Sequence, residues 1–140
     1  MAENFKIITQ FVKDMSSETP NVETYLYVKE YIKNYNLNIE ITTKPLKNRM
    51  IEVSTKLDYM DKGKSINKSH FEINYASIIK IDEEIKDRKI IEKIILCDVQ
   101  KEIYPSLEKV FINLLSSSGF PDIKFEKKID FEKLYKEKFN

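Results

Sequence analysis

Hydrophobic and polar residues alternate through the first half of the chain, with the period of two that is typical of β-strands. The predicted apolar faces are Phe5, Ile7, Thr9 and Phe11; Leu37, Ile39 and Ile41; Ile51, Val53, Thr55, Leu57 and Tyr59; and Phe71, Ile73 and Tyr75, continuing towards Ile79 and Ile81. Polar segments at 44–48 and 61–68 separate the last three runs, and such turns favour hairpins. We therefore expect four antiparallel strands.

The second half of the chain changes to a helical period. Apolar stripes are formed by Ile91, Ile95, Val99 and Ile103, and after Pro105 by Leu107, Val110, Phe111, Leu114 and Leu115. Proline lacks an N–H and restricts the preceding residue, so we expect the helix to break or kink at Pro105. Gly119 is a predicted helix stop, and Asp130 a predicted N-cap of a last helix carrying Phe131, Leu134, Tyr135 and Phe139. Strands followed by helices predict an α+β fold, with the helices packed on one face of the sheet.

Composition narrows the class of protein. A chain of 140 residues, with 41% hydrophobic and 34% charged residues, predicts a single domain over 1–140. A net charge of +1 does not indicate nucleic acid or an acidic membrane as a partner. The chain contains no apolar run of about 20 residues and no basic, apolar N-terminal start. We therefore expect a cytoplasmic protein that does not insert into membranes.

Residue counts argue against most catalytic and cofactor sites. Gly63 and Gly119 are the two glycines, too few for a phosphate-binding loop. One cysteine, Cys97, and one histidine, His70, are too few for a zinc site, a disulfide or a haem attachment, so we expect none of these. A Cys97–His70 nucleophilic pair is conceivable, but a buried thiol and an ordinary strand histidine are the simpler interpretation. The sequence thus predicts no enzyme, no cofactor and no metal.

A tyrosine-rich segment at 21–35 does not fit a simple core. Four of the eight tyrosines lie there: Tyr25, Tyr27, Tyr31 and Tyr35. Pro20 marks its start, which indicates a long connection rather than a continued strand. Such rings can pin a loop over the sheet, or they can line a groove that binds varied apolar sequences. Both interpretations are open at this stage.

Two separated segments resemble one family. Residues 11–21, FVKDMSSETPN, are followed near the other end by SGFPDI at 118–123 and IDFEKLY at 129–135. Together they resemble the SecB family of bacterial export chaperones, with weaker support from residues 71–73 and 103–105. The resemblance covers about 5–139. It implies a four-stranded antiparallel sheet with a crossover loop after the first strand, and a homotetramer built as a dimer of dimers. It also explains the isoleucine doublets at 90–91 and 94–95, whose apolar arc is wider than one sheet contact requires.

The resemblance also implies a function and site residues. Family members hold unfolded or precursor polypeptides without ATP and deliver them to the SecA translocase. Carried onto this chain, the client-binding groove is lined by Val22, Tyr25, Tyr27, Tyr31, Leu107, Val110 and Phe111. The residues implied for SecA contact are Asp14, Glu18 and Glu72.

Departures from the family keep alternatives open. The chain is nearly neutral, with an isoelectric point near 7.7, whereas well-known members are acidic. His70 occupies an apolar family position, and the chain ends at Asn140 without a long tail. A SecB-like chaperone of a toxin–antitoxin system, with an antitoxin as client, is the first alternative. A more remote one is an α+β module that binds RNA through Lys6, Lys80, Lys124, Lys127 and Lys128.

Overall fold

A computed structural model describes residues 4–61, 63, 68–125 and 129–139, and its sheet is the predicted one. The four strands are β1 (Phe5–Glu18), β2 (Asn36–Pro45), β3 (Met50–Met60) and β4 (His70–Ile81). They form one antiparallel sheet in the order β1-β4-β3-β2. The expected β3–β4 hairpin is confirmed by this pairing, although 62 and 64–67 of its predicted turn lie outside the described residues.

Helices cover one face of the sheet, which confirms the α+β prediction. They are α1 (Val22–Tyr31), followed by a short 3₁₀ turn at Ile32–Asn34; α2 (Arg88–Lys93); a π-helical segment (Ile94–Asp98); α3 (Val99–Ser117); and α4 (Phe131–Phe139). The stretch from α2 through α3 is called the long helix below. Asp130 caps α4 as predicted, because its Oδ1 accepts a hydrogen bond from the backbone N–H of Lys133 at 3.1 Å.

The crossover, residues 19–35, carries the chain from β1 at one edge of the sheet to β2 at the other. It contains a helix rather than only the expected loop. Asn21 begins α1 by accepting a hydrogen bond from the backbone N–H of Thr24 at 2.8 Å. Thr24 and Val28 are buried, so α1 is packed onto the core by one face.

The first strand departs from simple alternation. Its pairing with β4 shifts between Ile7 and Thr9, and again between Val12 and Asp14. Each bulge inserts an extra residue and therefore turns the following side chains to the other face. Phe5 and Ile7 face the helices, but Thr9 and Phe11 pair with residues that face outward, so the prediction that all four share a face is wrong.

The core lies between the sheet and the long helix. Its fully buried members include Val53, Leu57, Ile73, Ile79, Ile103, Leu107, Phe111 and Leu115. Gln100 is also buried, and its amide joins the two layers: Thr55 Oγ1 donates to Gln100 Oε1 at 3.0 Å, and Gln100 Nε2 donates to Ile95 O at 3.3 Å. The second bond satisfies a carbonyl inside the π-helical segment, where regular α-helical bonding is interrupted.

The helix does not break at Pro105, which lies inside α3. Proline removes the bond to the carbonyl four residues earlier, that of Lys101. Both Pro105 and Lys101 are exposed, so water can reach this carbonyl. The helical irregularity lies instead in the π-helical segment, about two turns upstream, where no proline is present.

Candidate functional site: an apolar groove beside an edge strand

A long concave surface runs between β2 and α4. It consists of two adjoining cavities of about 320 and 690 Å³. We call it the β2 groove. Its lining residues are Tyr35, Asn36, Leu37, Ile39, Glu40, Ile41, Tyr59, Leu96, Lys124, Phe125, Ile129, Asp130, Phe131, Lys133, Leu134, Tyr135 and Glu137. Apolar and aromatic side chains thus dominate the lining, and charged side chains accompany them.

One side of the groove is an unpaired strand edge. Within the described residues β2 pairs with β3 alone, along an uninterrupted ladder from Asn36–Met60 to Pro45–Ile51. The apolar side chains of Leu37, Ile39 and Ile41 alternate on the helix-facing side and are only half-buried. An edge strand also presents backbone N–H and C=O groups without partners. This side therefore offers both apolar contacts and a hydrogen-bonding template.

The opposite wall is α4, which is fixed to the long helix at its first turn. Phe131 is buried with its ring 5.5 Å from Tyr104, and its carbonyl accepts from Cys97 Sγ at 3.5 Å. Lys101 Nζ lies 2.7 Å from Glu132 Oε1, and this hydrogen bond holds the pKa of the Glu132 carboxyl below its usual value. These contacts leave Leu134 38% exposed on the groove side.

The floor of the wider cavity is aromatic. Tyr35, Tyr59 and Phe71 are mutually in contact, and Tyr59 meets Phe125 edge-on at 5.4 Å. The Tyr35 hydroxyl donates to Ser69 O and accepts from Ser69 N, both at 2.9 Å. Burial raises the pKa of both tyrosines, so they stay neutral. A neutral, anchored aromatic floor is suited to apolar side chains rather than ions.

The predicted client-binding residues lie elsewhere. Val22 and Tyr31 on α1 are 68% and 41% exposed, and the ring of Tyr31 lies 4.6 Å from that of Tyr27. Tyr25 instead serves the fold: its hydroxyl donates to Gly119 O at 2.8 Å and its ring contacts Phe120. None of these α1 residues is among those that line the β2 groove.

The helical half of the prediction requires a correction. Leu107 and Phe111 have no exposed surface, because this face of α3 packs against the sheet. They form the core and are not available to a client in this structure. Val110 is half-buried against the same core. The sequence pattern could not separate core from groove here, since both require apolar residues at helical spacing.

The implied SecA-contact residues do share one surface. Asp14, Ser16 and Glu18 of β1 are opposite Asn74, Glu72 and His70 of β4 in the register, so Asp14, Glu18 and Glu72 face outward, away from the helices. Asp14 and Glu18 are exposed, whereas Glu72 is half-buried with Lys56 Nζ 3.1 Å from its Oε1.

Other predicted groupings are not assembled. Cys97 is buried on the helix side and His70 lies on the outward face, so they cannot act as a pair. Lys6 and Lys80 are neighbours on the outward face, but Lys124 lines the β2 groove on the other side. Lys127 and Lys128 lie outside the described residues. Among the described helices, none is both long and apolar enough to cross a membrane.

The two segments that carry the family resemblance meet in space. Ser17 Oγ and Ser118 Oγ are 2.6 Å apart, which ties the end of β1 to the end of α3. Gly119 follows with φ of 99°, and a Cβ there would lie 2.5 Å from Tyr25 Cε1. Only glycine permits both this backbone and this close approach. These contacts form a joint that holds the crossover to the end of α3.

Comparisons with known proteins agree with this fold. The family described as preprotein translocase subunit SecB matches residues 1–140. A candidate protein-export SecB of Pelagibacter ubique is 56% identical over 140 residues, all of both chains. The protein-export protein SecB of Parvibaculum lavamentivorans is 23% identical, over 98% of this chain and 80% of that one.

A solved structure shares the architecture at low identity. It is a Mycobacterium tuberculosis SecB-like chaperone in complex with a peptide from an antitoxin. Its TM-score is 0.64 at 10% identity, covering 89% of this chain and 91% of that one. At this identity the likeness shows the fold alone. The family match over the whole sequence and the 56% identity show more: this chain belongs to the SecB family, a family of chaperones rather than of enzymes.

Proposed function

We propose that this protein is an ATP-independent chaperone of protein export, which holds non-native polypeptides in the β2 groove. The observation that carries the proposal is an apolar groove with an unpaired strand on one side and a fixed helix on the other. An extended client can place alternate side chains in the groove while its backbone pairs with β2. Each buried apolar side chain contributes about 25 cal/mol per Å² before ordering costs.

The test is suppression of aggregation. A chemically denatured, slow-folding precursor is diluted into buffer with increasing amounts of the protein, without ATP, and light scattering is recorded. The groove variant is Ile39→Ser with Leu134→Ser. The matched control is Thr42→Ser with Lys136→Ser, which also places one serine on β2 and one on α4 but outside the groove lining.

We expect the control to hold clients as the unchanged protein does, and the groove variant to bind them about tenfold more weakly. Equal suppression by both variants would show that clients bind elsewhere. The exposed α1 residues Val22 and Tyr31, with the half-buried Tyr27 beside them, are then the next surface to test, by substitution to serine.

Delivery to SecA is a second part of the proposal. Asp14, Glu18 and Glu72 share the outward face of the sheet, where carboxylates can contact a basic partner. Asp14→Asn with Glu18→Gln should weaken binding of purified SecA and flatten its dependence on salt. Asp122→Asn, also exposed, is the control. Binding of SecA that is equal in all three proteins would contradict this assignment.

An antitoxin client is the alternative within the family. The 56% identical relative is named for protein export, which favours an export role here. The alternative predicts tight binding of one antitoxin segment and no protection of unrelated precursors. The same scattering assay therefore separates the two, because a dedicated chaperone leaves general precursors to aggregate. An RNA-binding role instead predicts affinity that falls steeply with salt.

We also propose that the protein assembles into a tetramer, with contacts between chains at β1, the other edge strand of the sheet. Phe11, Val12 and Met15 on β1 are each at least 39% exposed, next to a strand edge without a partner in the described residues. Pairing of two β1 edges would cover these side chains and join two sheets. Light scattering coupled to size-exclusion chromatography measures the assembled mass directly.

A further inference from the structure

The outward face of the sheet carries a group of ligand atoms that neither the core nor the β2 groove uses. Asp58 on β3 is directly opposite Glu72 on β4, and His70 lies two residues before Glu72 on the same face. His70 Nε2 is 3.1 Å from Asp58 Oδ1 and 3.8 Å from Glu72 Oε2. All three atoms lie within 4.8 Å of one another. One imidazole nitrogen and two carboxylate oxygens therefore converge.

Lys56 contacts the two carboxylates from their other side. Its Nζ is 3.1 Å from Glu72 Oε1 and 3.9 Å from Asp58 Oδ2. The oxygens near His70 are the opposite ones, Oδ1 and Oε2. Lys56 thus orients both carboxylates without occupying the space between them and the imidazole.

The charges at this position are not balanced. Two carboxylates directly opposite each other on neighbouring strands are destabilising unless compensated. Glu18 on β1 adds a third, as the cross-strand neighbour of His70. These three carboxylates outnumber the one lysine, Lys56, that contacts two of them. A divalent cation would offset this excess of negative charge.

A separate observation concerns Asn74, the next outward residue along β4 and the neighbour of Lys56 across the sheet. Its Oδ1 is buried and has no hydrogen-bond partner among the described residues. Buried acceptors are normally satisfied. A water molecule bound to an ion at this cluster is a suitable donor for such an oxygen.

We propose that Asp58, His70 and Glu72 bind a divalent transition-metal ion, with zinc as the ion that best suits mixed imidazole and carboxylate ligands. The three side chains are 24–36% exposed, so an ion can reach them. Three protein ligands leave a fourth position for water or for Glu18. The sequence predicts no metal because it offers one cysteine and one histidine. The carboxylate ligands become evident only through the β3–β4 register.

The experiment uses the full chain without an affinity tag. Calorimetric titration with zinc chloride near pH 7.5, and visible absorption of added cobalt(II), report binding without any client or partner. We expect one ion per chain with a dissociation constant in the micromolar range. His70→Gln should weaken it by at least about tenfold, and acidification should weaken it as well, because the ligands must be deprotonated.

The matched control is Glu52→Gln, which removes another carboxylate from the outward face without touching the cluster. Circular dichroism checks that each variant is folded. Absence of zinc binding up to millimolar concentration, or binding that His70→Gln leaves unchanged, would overturn the proposal. Since the readout is the metal itself, failure here is independent of the proposed chaperone function.

Discussion

The two edges of the same sheet differ in almost every respect. At β1 the exposed apolar residues Ile8, Phe11, Val12 and Met15 occur on both faces, and two bulges interrupt the register. At β2 the apolar residues lie on one face, are half-buried, and follow a register without interruption. The helix α4 forms a wall beside β2.

This difference indicates two kinds of partner. Unpaired strand edges can pair with other chains and cause aggregation, so proteins usually cover or shield them. The β1 edge exposes apolar side chains on both faces, and a second chain paired with it would cover part of this surface. The β2 edge lies in a groove that admits a single extended chain, which suits exchangeable clients. We therefore propose a permanent contact between chains at β1 and a transient contact with clients at β2.

The largest effect is expected at the joint that holds the crossover between the two edges. Gly119→Val places a side chain at a φ of 99° and against the Tyr25 ring. We expect the free energy of unfolding to fall by about 2–4 kcal/mol, measured by urea denaturation. Gly63→Val is the control, because its nearest new contact is only the flexible side chain of Asp61. Equal losses for both variants would contradict the assignment of this joint.

The next effect concerns the wall of the β2 groove. Cys97 is buried beneath α4, and its burial raises the pKa of the thiol. Alkylation at neutral pH should therefore be at least about 100-fold slower in the native protein than in urea. Mass spectrometry after timed quenching measures the rate. Rapid native labelling would mean that α4 leaves the long helix readily and that the groove has no fixed wall.

The strands and their order of occurrence could be predicted because period-two alternation is strong in this chain. What alternation could not give was the spatial order β1-β4-β3-β2, which makes β2 an edge strand. Leu37, Ile39 and Ile41 were correctly placed on one face of a strand. They form a groove wall because, among the described residues, no second strand pairs with β2. Alternation within one strand does not indicate how many strands pair with it.

The differences between the predicted site residues and the observed groove have a similar cause. Leu107 and Phe111 carry the same apolar signal as groove residues, and only packing shows that they are core. Tyr25 stands in the tyrosine-rich segment, yet the hydrogen bond from its hydroxyl to Gly119 O fixes it into the fold. The bulges of β1 also could not be predicted from hydrophobic alternation. Each extra residue moves the following side chains to the other face of the sheet without changing the composition of the strand.

A smaller effect separates the two edges directly. Phe11→Lys with Met15→Lys introduces two charges at β1, where we propose that chains pair. The assembled mass in size-exclusion chromatography with light scattering should fall, and clients should still bind each unit. The groove variant Ile39→Ser with Leu134→Ser should behave in the opposite way, with unchanged mass and client binding about tenfold weaker. If either pair of substitutions alters both properties equally, the two edges do not have separate roles.

The smallest effect tests how β1 is held in its own sheet. Lys13 Nζ lies 2.8 Å from Glu52 Oε2 on β3, and this hydrogen bond lowers the pKa of the Glu52 carboxyl. A lowered native pKa means that the unfolded state binds the proton more readily, so this contribution is present above the unfolded pKa. It should be lost as the pH falls from about 5 through the lowered pKa of Glu52.

Glu52→Gln should reduce the free energy of unfolding at pH 7 by less than about 1 kcal/mol, because Lys13 is exposed to solvent. It should also flatten the acid side of the stability profile. Urea denaturation at several pH values measures both, and Asp122→Asn provides an exposed carboxylate for comparison. An identical acid profile for the unchanged protein and Glu52→Gln would show that the ion pair does not tie the β1 edge to the sheet in solution.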